Sequence, residues 1–129
     1  NQGKELGVYF YLFSGGEPLV RKKDIIELCR KHDDCVFLAF TNGVLIDEDF
    51  AAAMLEVQNF VPAISIEGFE EATDRRRGKG SYQAVLKAME ILRSRKLPFG
   101  ISCCYTSQNV KGCPRQACSD GDPQFGAGK

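Results

Sequence analysis

The sequence has no net charge, no long apolar run and no leader of the charged-then-apolar kind. Its 17 Lys and Arg residues balance its 17 Asp and Glu residues, so no long-range field draws the protein to nucleic acid or to an anionic membrane. The longest apolar runs, such as Cys35 to Phe40, are far shorter than the roughly 18 to 20 residues that cross a bilayer. We therefore expect a cytoplasmic protein without nucleic-acid or membrane partners, which recognises its ligand by local contacts.

Histidine is nearly absent, and this limits the metal sites that the six cysteines can form. Cys113 and Cys118 are spaced C-x4-C with no histidine nearby, which matches neither a zinc ribbon nor a zinc finger. The other four cysteines lie within or beside apolar segments, which indicates reduced thiols in a core and not a disulfide scaffold. We expect no metal ligand in this chain.

A chain of 129 residues, 43% hydrophobic and 26% charged, has the composition of one globular domain with one core. It starts at Asn1 and reaches an apolar strand by Val8, so we expect an internal piece of a larger protein. Apolar periodicity ends near Asn109, and the stretch after it is rich in Gly, Asp and Gln. We predict a domain over residues 1–109 and a disordered or non-native tail over residues 110–129.

Strand and helix patterns alternate along the predicted domain. Four apolar segments have the composition of strands: residues 8–13, 35–40, 61–66 and 98–105. The first segment is aromatic and nearly continuous, which is typical of a strand buried on both faces. Helical spacing predicts a helix from Lys22 to Lys31, a second one with Asp47 as its N-cap, and a third one with Ser81 as its N-cap. The polar stretch 67–80 fits neither period and predicts a long loop.

The alternation of strands with helices predicts βαβ units and a parallel sheet, with the helices on one side if the sheet curls toward a barrel. The predicted fold class is α/β, and a sheet that curls in this way is a partial (βα) barrel of the TIM type. In such folds ligands bind at the carboxyl ends of the strands. The residues that follow each strand are therefore the candidates for a site.

Gly15, Gly16 and Glu17 follow the first strand. Two glycines let the backbone approach a ligand closely and present its carbonyls, and the carboxylate of Glu17 stands beside them. These groups suit an ammonium group, whereas they do not suit phosphate, because the lysine and hydroxyl that complete a P-loop are missing. A tight strand-to-helix turn that needs a positive φ is the alternative interpretation.

Ser65 and Arg77 are the candidates after the third strand. If the isoleucines on either side of Ser65 face the helices, alternation places its hydroxyl on the opposite surface, where it would meet a bound ligand. Arg77 lies among glycines and can bind a carboxylate bidentately. The alternatives are a serine satisfied by nearby backbone and a solvated charge run, which we expect for Arg75 and Arg76. The Thr-Asn-Gly turn after the second strand carries little functional weight.

Four motifs occur in order along residues 8–109: Ser-Gly-Gly-Glu-Pro-Leu after an aromatic strand, Thr-Asn-Gly, Ile-Ser-Ile-Glu-Gly, and Arg-Gly-Lys-Gly-Ser-Tyr at a helix start. On these motifs the chain resembles the radical S-adenosylmethionine (SAM) superfamily, and within it the peptide-modifying and anaerobic sulfatase-maturating branch. The resemblance implies that Gly15, Gly16 and Glu17 hold the amino group of SAM. It also implies that Ser65 and Arg77 contact the SAM ribose and carboxylate.

The reaction that the resemblance implies is reductive cleavage of SAM by a four-iron four-sulfur (4Fe–4S) cluster. It gives a 5′-deoxyadenosyl radical that abstracts hydrogen from a substrate, here expected to be a peptide or protein. The Cys-x3-Cys-x2-Cys motif that binds the cluster in this family is absent, and no cysteine precedes residue 8. We therefore assign no catalytic residue and no cluster ligand to this chain, and we expect it to be inactive alone.

Two other functions stay open on the residues alone. The first is a non-catalytic nucleotide-binding or small-molecule-binding α/β module of doubly wound form. The second is a degenerate half-barrel that only scaffolds a partner.

Overall fold

The structure is a computed structural model that describes residues 2–104. These residues form a sheet of four parallel strands: β1 (Phe10–Phe13), β2 (Val36–Thr41), β3 (Phe60–Ser65) and β4 (Gly100–Ser102). The helical segments are α1 (Gln2–Glu5), a 3-10 helix (Pro18–Arg21), α2 (Lys22–Lys31), α3 (Glu48–Val57), α4 (Glu70–Arg77) and α5 (Ser81–Ser94). The predicted α/β class is confirmed.

The strands lie side by side in chain order, and each is parallel to its neighbour. A (βα) barrel has this sequential order, whereas a doubly wound sheet reverses its order at the crevice that binds the ligand. No reversal occurs among the strands that the structure describes. The arrangement therefore fits part of a barrel of the TIM type and does not fit the doubly wound alternative.

One hydrophobic core fills the space between the sheet and the helices α2, α3 and α5. β3 contributes the fully buried side chains of Phe60 and Ile64, and Ile66 continues this row just after the strand. Met54 of α3 and Leu92 of α5 pack against the sheet from the helical layer. Burial of an apolar side chain of this size contributes roughly 1.5–3 kcal/mol, so the core is the main source of stability.

The opposite face of the sheet, which we call the inner face, is exposed to solvent along much of β1 and β2 within the described residues. Phe10 and Leu12 of β1 are 57% and 49% exposed, and Val36 and Phe40 of β2 are also exposed. Strand β1 pairs only with β2 among the strands described, so it forms an edge of the sheet. The prediction of a first strand buried on both faces is therefore wrong, because residues 2–104 cover only one face of β1.

The polar stretch 67–80, predicted as a loop, contains helix α4. Only Thr73 of this helix is buried, so the helix has no apolar period for the sequence to reveal. Its signal is electrostatic, since Glu70 and Glu71 lie in the first turn and three arginines lie in the last turn. These are the ends at which the helix macrodipole favours each sign of charge. The loop prediction is wrong because it depends on apolar spacing alone.

The predicted N-cap residue is correct for α3 and wrong for α5. Asp47 caps α3 as predicted, because its carboxylate accepts a hydrogen bond from a backbone N–H of the first turn (2.8 Å). Ser81 is the first residue of α5, and Gly80, at φ 87°, occupies the N-cap position. The carboxylate of Asp74 accepts from the N–H groups of Gly80 (2.7 Å) and Tyr82 (2.9 Å). The prediction of a Ser81 cap is wrong because the preceding helix supplies the capping acid.

Residues 2–104 contain four of the six cysteines, and these form no disulfide with one another. Cys29 and Cys35 are buried thiols, as predicted, and burial raises the pKa of Cys29 to about 11. Cys103 is half-buried and Cys104 is exposed, so the prediction of core thiols is wrong for these two. The C-x4-C pair and the predicted tail lie outside the described residues. No helix within the described range is long and apolar enough to cross a membrane.

Candidate functional site

The candidate residues lie at the carboxyl edge of the sheet. Strand β1 leads directly into Gly15, Gly16 and Glu17, and β3 ends at Ser65. Arg77 is the last residue of α4, the helix that follows β3. Because the strands are parallel, these segments meet at the edge where α/β folds bind their ligands.

The turn after β1 exposes backbone carbonyls. Gly15 has φ +121°, a conformation that glycine adopts without strain, so the turn interpretation is correct for this residue. A Cβ atom on Gly15 or Gly16 would meet nothing within 4 Å, so open space surrounds both glycines. Within residues 2–104, no donor bonds to the carbonyl of either glycine. The turn therefore offers two acceptors to which a ligand ammonium group can donate.

Glu17 connects the end of β1 to the end of β2. Its Oε1 accepts hydrogen bonds from the backbone N–H of Leu19 (3.0 Å) and the hydroxyl of Thr41 (2.7 Å). Its Oε2 accepts from the backbone N–H of Asn42 (2.9 Å). The hydroxyl of Thr41 also accepts from the N–H of Gly43 (3.1 Å). We call Glu17, Thr41 and Asn42 the Glu17 cluster.

Two residues of the Thr-Asn-Gly turn, Thr41 and Asn42, donate hydrogen bonds to Glu17, a role that sequence reasoning missed. Thr41 is buried at the end of β2, and a buried hydroxyl must find a partner, which is the signal that could have revealed the contact. A carboxylate has about four acceptor positions. Three of them are filled here, and the one that remains is on Oε2 of Glu17. Glu17 therefore keeps one position and its negative charge for a ligand.

Ser65 lies on the inner face, as alternation along β3 predicts. Ile64 and Ile66 are buried on the helical side, and Ser65 between them is half-buried on the other side. In the parallel register it lies beside Ser102 of β4. The Ser65 hydroxyl makes no hydrogen bond to another residue in the described part of the chain, so it is available to a ligand.

Glu67, two residues beyond Ser65, is a buried carboxylate with two arginine partners. Its side chain is 1% exposed. Its Oε1 accepts from Nε (3.0 Å) and Nη2 (2.6 Å) of Arg77, and its Oε2 accepts from Nη1 of Arg76 (2.7 Å). We call Glu67, Arg76 and Arg77 the Glu67 cluster. Sequence reasoning missed Glu67 because an acid in a polar stretch carries no sign of burial.

The three consecutive arginines of α4 differ in their contacts. Arg75 pairs with Glu71 one helical turn earlier, and both side chains are exposed, as expected of solvated charges. Arg76 is held by Glu67. A hydrogen bond to Cys104 and the attraction of Glu67 raise the pKa of the Arg76 guanidinium. Arg76 is exposed, as expected of a solvated charge, but its contact with a buried acid was not expected.

The two clusters have opposite charges at one edge of the sheet. The Glu17 cluster contains a single acid and no base, so its formal charge is −1. The Glu67 cluster contains two bases and one acid, so its formal charge is +1. A ligand with an ammonium group and a carboxylate matches this pair of charges.

The described residues offer no obvious place for a metal. Within residues 2–104, no group of three or more His, Cys, Asp or Glu side chains could hold a metal ion. The whole sequence also has no Cys-x3-Cys-x2-Cys motif. The two clusters present carbonyl and carboxylate acceptors on one side and guanidinium donors on the other.

Comparison with curated proteins finds relatives that are all longer than this chain. It is 34% identical to the Fe-coproporphyrin III synthase of Methanosarcina barkeri over 106 residues, which are 80% of this chain and 26% of the relative. It is 30% identical to the cysteine-type anaerobic sulfatase-maturating enzyme of Clostridium perfringens over 113 residues, 78% of this chain and 30% of the relative. The PqqA peptide cyclase of Granulibacter bethesdensis is 29% identical over 119 residues, 89% of this chain and 32% of the relative. The chain thus spans about a quarter to a third of these relatives.

A solved structure described as native anSMEcpe with bound AdoMet, another name for SAM, has a similar fold. The TM-score is 0.67 at 28% identity, and the similarity covers 87% of this chain and 35% of that one. The family model of the radical SAM superfamily matches residues 1–110. A match over most of the sequence, together with a similar fold in a SAM-bound relative, shows that the chain belongs to the radical SAM superfamily.

Proposed function

We propose that this chain supplies SAM-binding residues to a radical SAM enzyme that modifies a peptide or protein. Radical SAM proteins use SAM together with a 4Fe–4S cluster, which supplies the electron that cleaves SAM to a 5′-deoxyadenosyl radical. The proposal places the cluster ligands outside residues 1–129, because the sequence lacks the three-cysteine motif. The chain alone is accordingly expected to be inactive.

The opposite charges of the two clusters are the observation that carries the proposal. The methionine end of SAM is a zwitterion, with an ammonium group and a carboxylate on the same carbon atom. An ammonium group is stabilised by carbonyl and carboxylate oxygens, and a carboxylate by a guanidinium fork. The Glu17 cluster with its glycine carbonyls provides the first environment, and the Glu67 cluster provides the second.

Each proposed contact uses an atom that the fold leaves available. The carbonyls of Gly15 and Gly16, with the remaining acceptor position of Glu17, would receive the ammonium group of SAM. The Ser65 hydroxyl would bond to the ribose, and Arg77 would bind the carboxylate. None of these residues takes part in bond breaking in this proposal. They bind and orient SAM.

The proposed substrate class comes from the relatives. The names of two of them, a sulfatase-maturating enzyme and a PqqA peptide cyclase, describe action on a protein and on a peptide. The name of a third relative, an Fe-coproporphyrin III synthase, describes a different product, so substrate class varies among the relatives. We also propose a cytoplasmic location, and the balanced charge supports the absence of nucleic-acid and membrane partners.

Calorimetry of the protein that contains this chain tests the proposal, with SAM and adenosine as ligands. We expect Arg77→Ala to weaken SAM binding by about tenfold or more, because hydrogen bonds to charged groups are worth about 1.5–3 kcal/mol. Adenosine binding should not change, since adenosine has no carboxylate. The matched control is Arg75→Ala, which removes the neighbouring exposed arginine and should leave both affinities unchanged.

The same titrations distinguish the second candidate function, a non-catalytic nucleotide-binding module. Equal affinities of the unchanged protein for SAM and adenosine would support that module, because the methionine end would then contribute nothing. The sequential strand order is the observation against it. Binding of neither ligand would support a scaffold instead.

A further inference from the structure

Glu67 is the one charged residue that is buried within residues 2–104. A buried carboxylate is costly unless it is paired and hydrogen-bonded. An apolar or neutral residue would suffice to pack α4 against the sheet, and Thr73, the buried residue of this helix, is such a residue. The presence of an acid at this position therefore calls for an explanation beyond packing.

Glu67 engages only one edge of the Arg77 guanidinium. Oε1 of Glu67 accepts from Nε and Nη2 of Arg77, at 3.0 and 2.6 Å. A guanidinium has five N–H donors, so three remain, two on Nη1 and one on Nη2. These three donors form the other fork of the group, and the Arg77 side chain is still 29% exposed. The fork that remains has the geometry that binds a second carboxylate bidentately.

Glu67 is itself held in place by two further contacts. Arg76 occupies its second oxygen, Oε2. Its backbone N–H donates to the hydroxyl of Thr73 (3.1 Å), which in turn donates to the carbonyl of Gly68 (3.4 Å). These bonds fasten the segment after β3 to α4. The carboxylate of Glu67 therefore has a fixed position relative to Ser65, which ends β3.

We infer that Glu67 is a positioning residue for ligand binding. It holds the Nε edge of Arg77 so that the opposite fork faces the carboxylate of the ligand. A long arginine side chain otherwise loses rotamer freedom when it binds, and fixing it beforehand reduces that cost. The inference rests on the proposed function, because it takes Arg77 as the group that binds the SAM carboxylate.

The test compares SAM with 5′-methylthioadenosine, which shares the nucleoside and the sulfur but lacks the amino-acid end. Calorimetry of the protein that contains this chain gives the ratio of the affinity for SAM to the affinity for 5′-methylthioadenosine. Glu67→Gln is expected to lower the affinity for SAM by about tenfold and to leave that for 5′-methylthioadenosine unchanged, because only the carboxylate contact depends on the Arg77 fork. Glu71→Gln, which changes the exposed partner of Arg75, is the matched control and should leave the ratio unchanged.

A purely structural role gives a different result. If Glu67→Gln lowers both affinities by the same factor, or neither, then Glu67 supports the fold and the inference is overturned. If this variant does not fold, Glu67→Asp decides, since it keeps the charge on a side chain that is one methylene shorter. A severalfold fall in this ratio for Glu67→Asp supports the positioning role of Glu67, and an unchanged ratio rejects that role.

Arg77→Ala separates failure of this inference from failure of the proposed function. If Arg77→Ala leaves the ratio of affinities unchanged, the proposed contact of Arg77 is wrong. If Arg77→Ala lowers the ratio and the Glu67 variants do not, only the positioning inference fails. The combined variant Glu67→Gln with Arg77→Ala should have the same ratio as Arg77→Ala, because Glu67 acts through Arg77.

Discussion

Two acids at one edge of the sheet, Glu17 and Glu67, are held by different kinds of donor. Glu17 is half-buried and accepts from one hydroxyl and two backbone N–H groups. Glu67 is buried and accepts from the guanidinium groups of Arg76 and Arg77. Neutral donors leave the charge of Glu17 in place, whereas two arginines more than cancel the charge of Glu67. Glu17 is thus the negative end of the candidate site, and the two arginines bound by Glu67 are its positive end.

Glu67→Ala has the largest expected effect on stability. It leaves Arg76 and Arg77 close together without their shared counter-charge. Breaking a buried ion pair costs about 3–5 kcal/mol, and because both arginines are partly exposed we expect a loss of about 2–3 kcal/mol in the free energy of unfolding. Urea denaturation followed by circular dichroism measures it. The control Glu71→Ala removes an exposed partner and should change stability by less than about 0.5 kcal/mol. Equal losses of unfolding free energy in the two variants would show that the ion pairs of Glu67 contribute no more than an exposed surface pair.

Glu17→Ala should destabilise the fold less, by about 1–2 kcal/mol, because Glu17 is only half-buried and water can replace part of its hydrogen bonding. Thr41→Val removes the hydroxyl partner with little change of shape. Because both changes break the same bond, the double variant should lose less than the sum of the single losses. A double-mutant cycle by urea denaturation measures this coupling. Strictly additive losses would show that Glu17 and Thr41 contribute independently to stability. The hydroxyl of Thr41 would then not be a donor that holds Glu17.

A third acid, Asp74, shares one feature with each of Glu17 and Glu67, and its replacement has the smallest expected effect on stability. It lies on α4 like the arginines, yet it accepts only backbone N–H groups, as Glu17 largely does. The N–H groups of Tyr82 and Gly80 hold the pKa of this carboxyl below its ordinary value of 3.8. The stabilisation is therefore fully present above that ordinary value and is lost as the pH falls through the lower pKa of the folded state.

Thermal unfolding between neutral pH and about pH 3 measures the contribution of Asp74. We expect Asp74→Asn to lower the melting temperature at neutral pH and to reduce the loss of stability on acidification. Glu90→Gln, a change on the exposed side of α5, is the control and should follow the unchanged protein. A parallel pH profile for Asp74→Asn and the unchanged protein would contradict the capping role.

Apolar spacing predicts α2, α3 and α5 because each of these helices buries one side against the sheet. It cannot predict α4, in which a single threonine is buried and the order of charges is the only guide. It also overstates the burial of β1, since an aromatic segment has the same sequence pattern whether one face or both faces of the strand are covered. Periodicity therefore reports the core-facing side of an element and gives little information about the other side.

The candidate site is predicted in part for a similar reason. The positions of Gly15, Glu17 and Ser65 follow from the rule that parallel strands deliver residues to one edge, together with the family motifs. The partners of these residues do not follow. The contact of Glu17 with Thr41 depends on the register between β1 and β2, and the contact of Glu67 with Arg77 depends on a helix that spacing does not reveal.

The exposed inner face has a practical consequence for any of these measurements. Within residues 2–104, Phe10 and Leu12 form a solvent-exposed apolar surface beside the unpaired backbone edge of β1. Such a surface favours self-association, and an open edge gives that association a β-pairing geometry. Association adds a concentration term to the observed stability. Melting and denaturation midpoints of two variants can therefore be compared only at matched protein concentration, and dilute samples will report the stability of the single chain.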